Sequence, residues 1–177
     1  MKQQHSDYYK QVLQYCDDIK TGKILSCVWV KKAVKRFLND LKREKEEGWQ
    51  FRFDEDKFVE VVEFAENLKL SDMESKLKLL PWQLFIYANL FGFVYKDNPD
   101  RRRFRQAYNE VARKNGKTSA FLYPMILYDF ITTNAAESYL VSKDGAQATK
   151  SFEEVTQMIH DDPEMEAAFG DGCHSGA

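Results

Sequence analysis

The sequence predicts an α/β chain. A helical N-terminal region, residues 1–78, leads into the first part of a parallel sheet within residues 79–177. Three observations predict this. Apolar residues recur at helical spacing through the first third. From Leu79 the chain becomes apolar on every side, as a buried helix is. Beyond that helix the pattern reads strand, loop, helix, strand, the βαβ order that builds parallel sheets.

In the first helix, Tyr8, Val12, Tyr15 and Ile19 share one face, and Thr21-Gly22 ends it. Ser26 is the expected N-cap of a second helix with Val30, Val34, Phe37, Leu38 and Leu41 on its apolar face. Its other face carries Lys31, Lys32, Lys35, Arg36, Lys42, Arg43 and Lys45, either as a solvated surface or as a contact with DNA backbone. Phe51-Arg52-Phe53 is a short extended piece, and Asp54 caps a third helix with Phe58, Val61, Val62, Ala65 and Leu68 inward. Leu70 to Lys78 is mixed and polar, a junction between the two regions. Pro81 then opens the buried helix at its first turn and Gly92 breaks it. Asn98-Pro99-Asp100 is a turn. Alternation from Phe104 to Val111 predicts a strand, followed by a helix over 117–132 in which Pro124 should kink the axis. A second strand is expected at Ser138–Val141 and a last helix from Ala146 to His160.

Composition narrows the function classes. A 44% apolar fraction supports a sizeable core, while a formal net charge of -2 excludes a small, uniformly basic nucleic-acid binder. Cys16, Cys27 and Cys173 lie far apart, which suits reduced thiols and argues against structural zinc. His5, His160 and His174 are equally scattered, so no metal cluster or triad is expected. No apolar run approaches a membrane span, and Met1-Lys2-Gln3-Gln4 is too polar to begin a secretion signal. The expected chain is soluble and intracellular, without a membrane partner.

The chemistry concentrates in Val111-Ala112-Arg113-Lys114-Asn115-Gly116-Lys117-Thr118. It matches the phosphate-loop pattern G-x-x-x-x-G-K-[ST] at every defined position but the first, where Val111 stands for Gly. Loop N–H groups and the N-terminus of the following helix would cradle phosphate oxygens, with Ser119 the next residue in line. Lys117 would reach the β- and γ-phosphates, Thr118 would offer its hydroxyl to Mg²⁺, and Gly116 allows close backbone approach. Arg113 and Lys114 either stabilise charge developing during phosphoryl transfer or point to solvent. Upstream, the Gln83 amide has the donor and acceptor that select an adenine edge, although on the residues alone a core-edge role explains it better. Asp161-Asp162 lacks a preceding apolar strand and is not read as a Walker B aspartate.

Together these residues resemble the large terminase subunit of tailed bacteriophages. The likeness rests on Leu80-Pro81-Trp82-Gln83, Leu90-Phe91-Gly92-Phe93, Arg102-Arg103-Phe104-Arg105 and Ala112-Arg113-Lys114-Asn115-Gly116-Lys117-Thr118. Weaker similarity runs through Gln147-Ala148, Phe152 and Met158 to Pro163, and upstream through Tyr15 to Asp40. That family's altered loop lacks the leading Gly and has Arg at the position of Arg113. The resemblance implies a P-loop NTPase sheet and ATP hydrolysis that drives DNA into a prohead. It implies Gln83 at adenine, Arg113, Lys117 and Thr118 at the triphosphate and Mg²⁺, and a nuclease domain elsewhere in the family's chains. Implied partners are double-stranded viral DNA, other large subunits in a ring, the portal protein and the small terminase subunit, in the host cytoplasm. Neither a Walker B strand nor the nuclease acids are recognisable here, so a truncated gene product, a fragment or one piece of a split gene is expected, hydrolysing ATP poorly or not at all alone. A helicase-like P-loop ATPase and a non-catalytic subunit-interaction module stand as alternatives.

Overall fold

Ser6 caps the first helix. Its hydroxyl accepts the Tyr9 N–H at 3.2 Å, and Asp7 in the first turn favours the positive end of the helix dipole. The computed structural model describes residues 6–68, 77–112, 115–116, 118–133 and 136–169. Helix α1 spans Asp7–Thr21 and ends at Gly22, whose φ of 80° is the left-handed cap conformation that glycine adopts without strain. Helix α2 spans Val28–Arg43. Its N-cap is Cys27 rather than Ser26, and Cys27 makes no side-chain cap bond. The start of α2 therefore gains nothing from a cap of the kind expected there, and burial of Val34 and Phe37 holds the helix.

Strand β1 (Phe51–Phe53) pairs antiparallel with β2 (Phe93–Tyr95), Phe51 opposite Tyr95 and Phe53 opposite Phe93. Between them lie α3 (Glu55–Asn67) and α4 (Pro81–Phe91). Asp54 caps α3 through the Lys57 N–H at 3.3 Å. Helix α4 buries Gln83, Leu84, Phe85, Tyr87, Ala88, Asn89 and Phe91, as its all-round apolar sequence predicts. The Asn98 turn is closed by the Arg101 N–H donating to the Asn98 carbonyl at 3.0 Å.

Packing gathers the chain into two compact units, the described residues of Met1–Val62 with Leu80–Asn109, and those of Glu63–Leu79 with Glu110–Ala177. In the first, Phe37 lies edge-on to Phe53, Phe85 and Phe93, with centroids 5.9, 5.4 and 5.6 Å away. In the second, Leu68, Tyr123, Leu127, Met158, Ile159 and Met165 form the buried cluster. These come from the chain just after α3, from α5 (Tyr123–Thr132), from α6 (Gly145–His160) and from α7 (Pro163–Phe169).

The fold is thus mixed and helix-rich, and its sheet among the described residues is two-stranded and antiparallel. Neither expected parallel strand is formed. Backbone pairing after the Asn98 turn stops at Arg103, whose N–H donates to the Phe93 carbonyl at 2.8 Å beside an Arg102–Val94 bridge. The alternating stretch from Phe104 onward then leaves β2, and residues 104–112 are irregular. Ser138–Val141 is irregular too, with Tyr139 and Val141 exposed. Side-chain alternation supplies a face, but a strand also needs a neighbouring backbone to receive its hydrogen bonds. Among the described residues no helix is long and apolar enough to cross a membrane.

Candidate nucleotide-binding site

The loop expected to hold phosphate lies between the irregular 104–112 segment and the helix that ends at Thr132. Arg113, Lys114 and Lys117 fall outside the described residues, while Ala112, Asn115, Gly116 and Thr118 fall within them. Gly116 has φ of 63°, left-handed backbone in which a Cβ would be strained. The Asn115 amide Nδ2 donates to the Ala112 carbonyl at 3.3 Å. The loop therefore needs glycine where the motif places it.

Thr118 is half-buried and begins a π-helical turn, Thr118–Leu122, that includes Ser119 in its backbone. The π turn gives way to α5 at Tyr123, with Pro124 in the first α turn. This is the form the expected kink takes. Proline has no N–H and its ring clashes with the carbonyl four residues back, so regular i→i+4 bonding cannot run through Pro124. The wider turn puts that irregularity at the start of the helix, next to the loop.

Gln83 sits at the third position of α4 and is only 3% exposed. Its Oε1 accepts the Leu80 N–H at 2.7 Å, satisfying an N–H that the N-cap position leaves without a helical partner. It belongs to the first compact unit and the phosphate loop to the second.

Residues 81–168, from the start of α4 into α7, match the family model described as the terminase large subunit, ATPase domain. This is a large terminase subunit ATPase region. Neither the curated proteins nor the solved structures yield a match to the chain.

The terminase region also includes a feature that the sequence pattern hid. Arg103 Nη1 meets Asp40 Oδ2 of α2 at 2.7 Å, and the Asp40 side chain is almost fully buried. The Arg103 guanidinium is stacked among the rings of Trp49, Phe51, Phe93 and Phe104. Arg36, expected on a solvated face, instead donates from Nη2 to Asn89 Oδ1 of α4 at 2.7 Å, and burial holds its pKa below the ordinary value. An aspartate at i+3 from Phe37 on the buried side of α2 was the available signal for such a pair. Asp162 also has a structural role: its Oδ1 accepts the N–H groups of Glu164 and Met165 at 3.0 and 3.2 Å, capping α7.

Proposed function

We propose that this chain is the ATP-binding part of a viral DNA-packaging motor that couples ATP hydrolysis to DNA movement into a prohead. The observation that carries the reading is a left-handed Gly116, in a turn tied by Asn115, placed at the motif position inside a terminase ATPase region. Glycine at this position puts no side chain between the backbone and a phosphate oxygen, which suits a triphosphate. On this reading the backbone of Ala112, Arg113, Lys114, Asn115, Gly116 and Ser119 cradles the phosphates. Lys117 neutralises the β- and γ-oxygens, Thr118 ligates Mg²⁺, and Arg113 stabilises charge on the triphosphate. Bound Mg²⁺ supplies further charge neutralisation. Gln83 reads adenine through its Nε2, its Oε1 being committed to Leu80. In the working motor, 104–112 and 138–141 take up the parallel pairing of a P-loop sheet. Double-stranded DNA, further large subunits, portal and small terminase subunit are its partners, and the host cytoplasm is its compartment.

Calorimetric titration of Mg-ATP into the chain tests this. Saturable binding should be lost in Lys117→Ala and weakened by roughly tenfold or more in Gly116→Val, whose side chain both strains φ and fills the cradle. A folded parent that binds no Mg-ATP sinks the proposal, and so does a Lys117→Ala variant that binds as well as the parent.

A further inference from the structure

The first compact unit carries a second concave surface, unrelated to the phosphate loop. A cleft of about 500 Å³ lies between the last turn of α1 and one face of α2, lined by Ile19, Lys20, Gly22, Lys31, Leu38 and Lys42 among others. On α2 its residues Lys31, Lys35, Leu38, Asn39 and Lys42 follow helical spacing, so they form one continuous stripe. Val28, three residues before Lys31, continues that stripe at its N-terminal end. From Val28 to Lys42 the stripe is roughly 20 Å long at the α-helical rise.

Two properties of this surface point the same way. Lys20, Lys31, Lys35 and Lys42 are exposed, and none forms an ion pair with a described residue. By contrast Lys10, Lys23 and Lys57 are paired with Asp7, Asp18 and Asp100. Four unneutralised lysines thus line the cleft. At and just before the start of α2 the chain also exposes apolar groups: Leu25 is 94% exposed, Trp29 71% and Val28 56%. Lys32 Nζ sits 4.7 Å from the Trp29 ring centroid, covering one part of the indole with another cation. Within the cleft, Ile19, Leu38 and the lysine stems supply an apolar floor.

We propose that this α1–α2 cleft docks an acidic amphipathic helix of a partner protein. A helix laid along the stripe sets carboxylates at i and i+4 against Lys31 and Lys35, with Lys20 and Lys42 flanking them. Its apolar edge covers Leu38, Val28 and Leu25, which otherwise remain in water. Burying the apolar groups supplies affinity, while the lysines set orientation and speed encounter. Duplex nucleic acid satisfies only half of this surface. Phosphates would neutralise the lysines, but they gain nothing from Leu25, Val28 and an apolar floor.

Fluorescence anisotropy on the full chain without nucleotide is the test, which keeps its result separate from that of the phosphate loop. The probe is a labelled, end-capped helical peptide with glutamates at i, i+4 spacing on one face and leucines on the adjoining face. Saturable binding is expected, and it should weaken roughly tenfold or more in Lys31→Glu/Lys35→Glu. It should weaken several-fold in Leu25→Ser/Val28→Ser, and a scrambled peptide of equal charge should bind no better than that variant. These side chains are exposed, so circular dichroism should be unchanged in both variants. The proposal is overturned by no saturable binding, or by binding that ignores Leu25→Ser/Val28→Ser, which would make the attraction one of charge alone. A short DNA duplex that competes at lower concentration than the peptide would overturn it as well, in favour of a nucleic-acid surface.

Discussion

In the unit built from Met1–Val62 and Leu80–Asn109, Tyr9, Phe37, Phe53, Phe85 and Phe93 interlock ring against ring, and Phe93 also meets the half-buried Arg103 that pairs with buried Asp40. In the unit built from Glu63–Leu79 and Glu110–Ala177, a smaller cluster of Leu68, Tyr123, Leu127, Met158, Ile159 and Met165 joins α5, α6, α7 and the chain just after α3. The first unit has a sheet and continuous backbone pairing up to Arg103, while the second carries the phosphate loop and the irregular 136–142 segment. The contrast shows where rigidity and ligand chemistry are placed. Large rings bury much area per ordered residue and fix the first unit. Loops that must close on a ligand belong to the part of a fold with fewer buried contacts and lower local stability.

The comparison can be broken most directly by removing the centre of the aromatic network. Phe37→Ala should cost about 3–5 kcal/mol, since Phe37 is fully buried and its neighbouring rings cannot collapse fully into the space. Chemical denaturation followed by circular dichroism would measure it. A loss below roughly 1 kcal/mol would mean that the rings are far less tightly interlocked than their geometry indicates. Asp40→Ala should come close behind, at about 3 kcal/mol, because it leaves the Arg103 charge buried among rings without its carboxylate.

Leu127→Ala, the matching deletion in the second unit, should cost about 2 kcal/mol, at the low end for a buried leucine because the cluster around it is small. If it costs as much as Phe37→Ala, the distinction between the units fails. Gly92→Ala sharpens the same comparison from the other side. A methyl there would overlap the Phe53 ring and the Ala88 carbonyl, so about 1–3 kcal/mol of overpacking is expected although φ at Gly92 is ordinary.

The smallest effect is set by pH. Burial pushes the Cys16 thiol up to about 12 from 9.0, and burial, then Glu55 and Glu44, push Tyr9 up to about 12 from 10.0. Both groups are held neutral in the folded state, so their contribution is complete below the unfolded values. It is lost as pH rises toward the folded ones, because the unfolded chain releases these protons first. The thermal midpoint should therefore hold steady up to about pH 9 and decline between about 9 and 12, with a shallower decline in Cys16→Ala. A flat profile through that window would contradict the burial of both groups. In a Cys173→Ser background at neutral pH, a thiol reagent should modify exposed Cys27 quickly and reach buried Cys16 only on unfolding.

Much of this was legible in the residues. The stop at Gly22, the cap at Asp54, Pro81 at the start of α4, the Asn98 turn and the extent of α6 each depend on a few neighbouring residues, and each was read correctly. The kink at Pro124 was legible as a disturbance, though not as a π turn. At the site, glycine at 116 was expected for close approach of a ligand, whereas its left-handed φ is a separate, local requirement that only the structure showed. The Arg36–Asn89 contact was not, because 53 residues separate its partners. Neither was β2, whose three residues are a strand only because β1 lies beside them.

By itself the sequence determined most of the helices, several of their ends and the phosphate-loop motif, since periodicity, caps and a conformationally free glycine act within a turn or two; the α2 cap and α7 were not among them. It also determined membership of residues 81–168 in the terminase ATPase family. Tertiary structure alone decided which extended segments became strands and which arginine was buried. It also decided that 80–109 packs with the N-terminal helices and 110 onward with the end of α3. Those outcomes depend on partners distant in the chain, and a hydrogen bond or an ion pair exists only once folding has brought both of its members together.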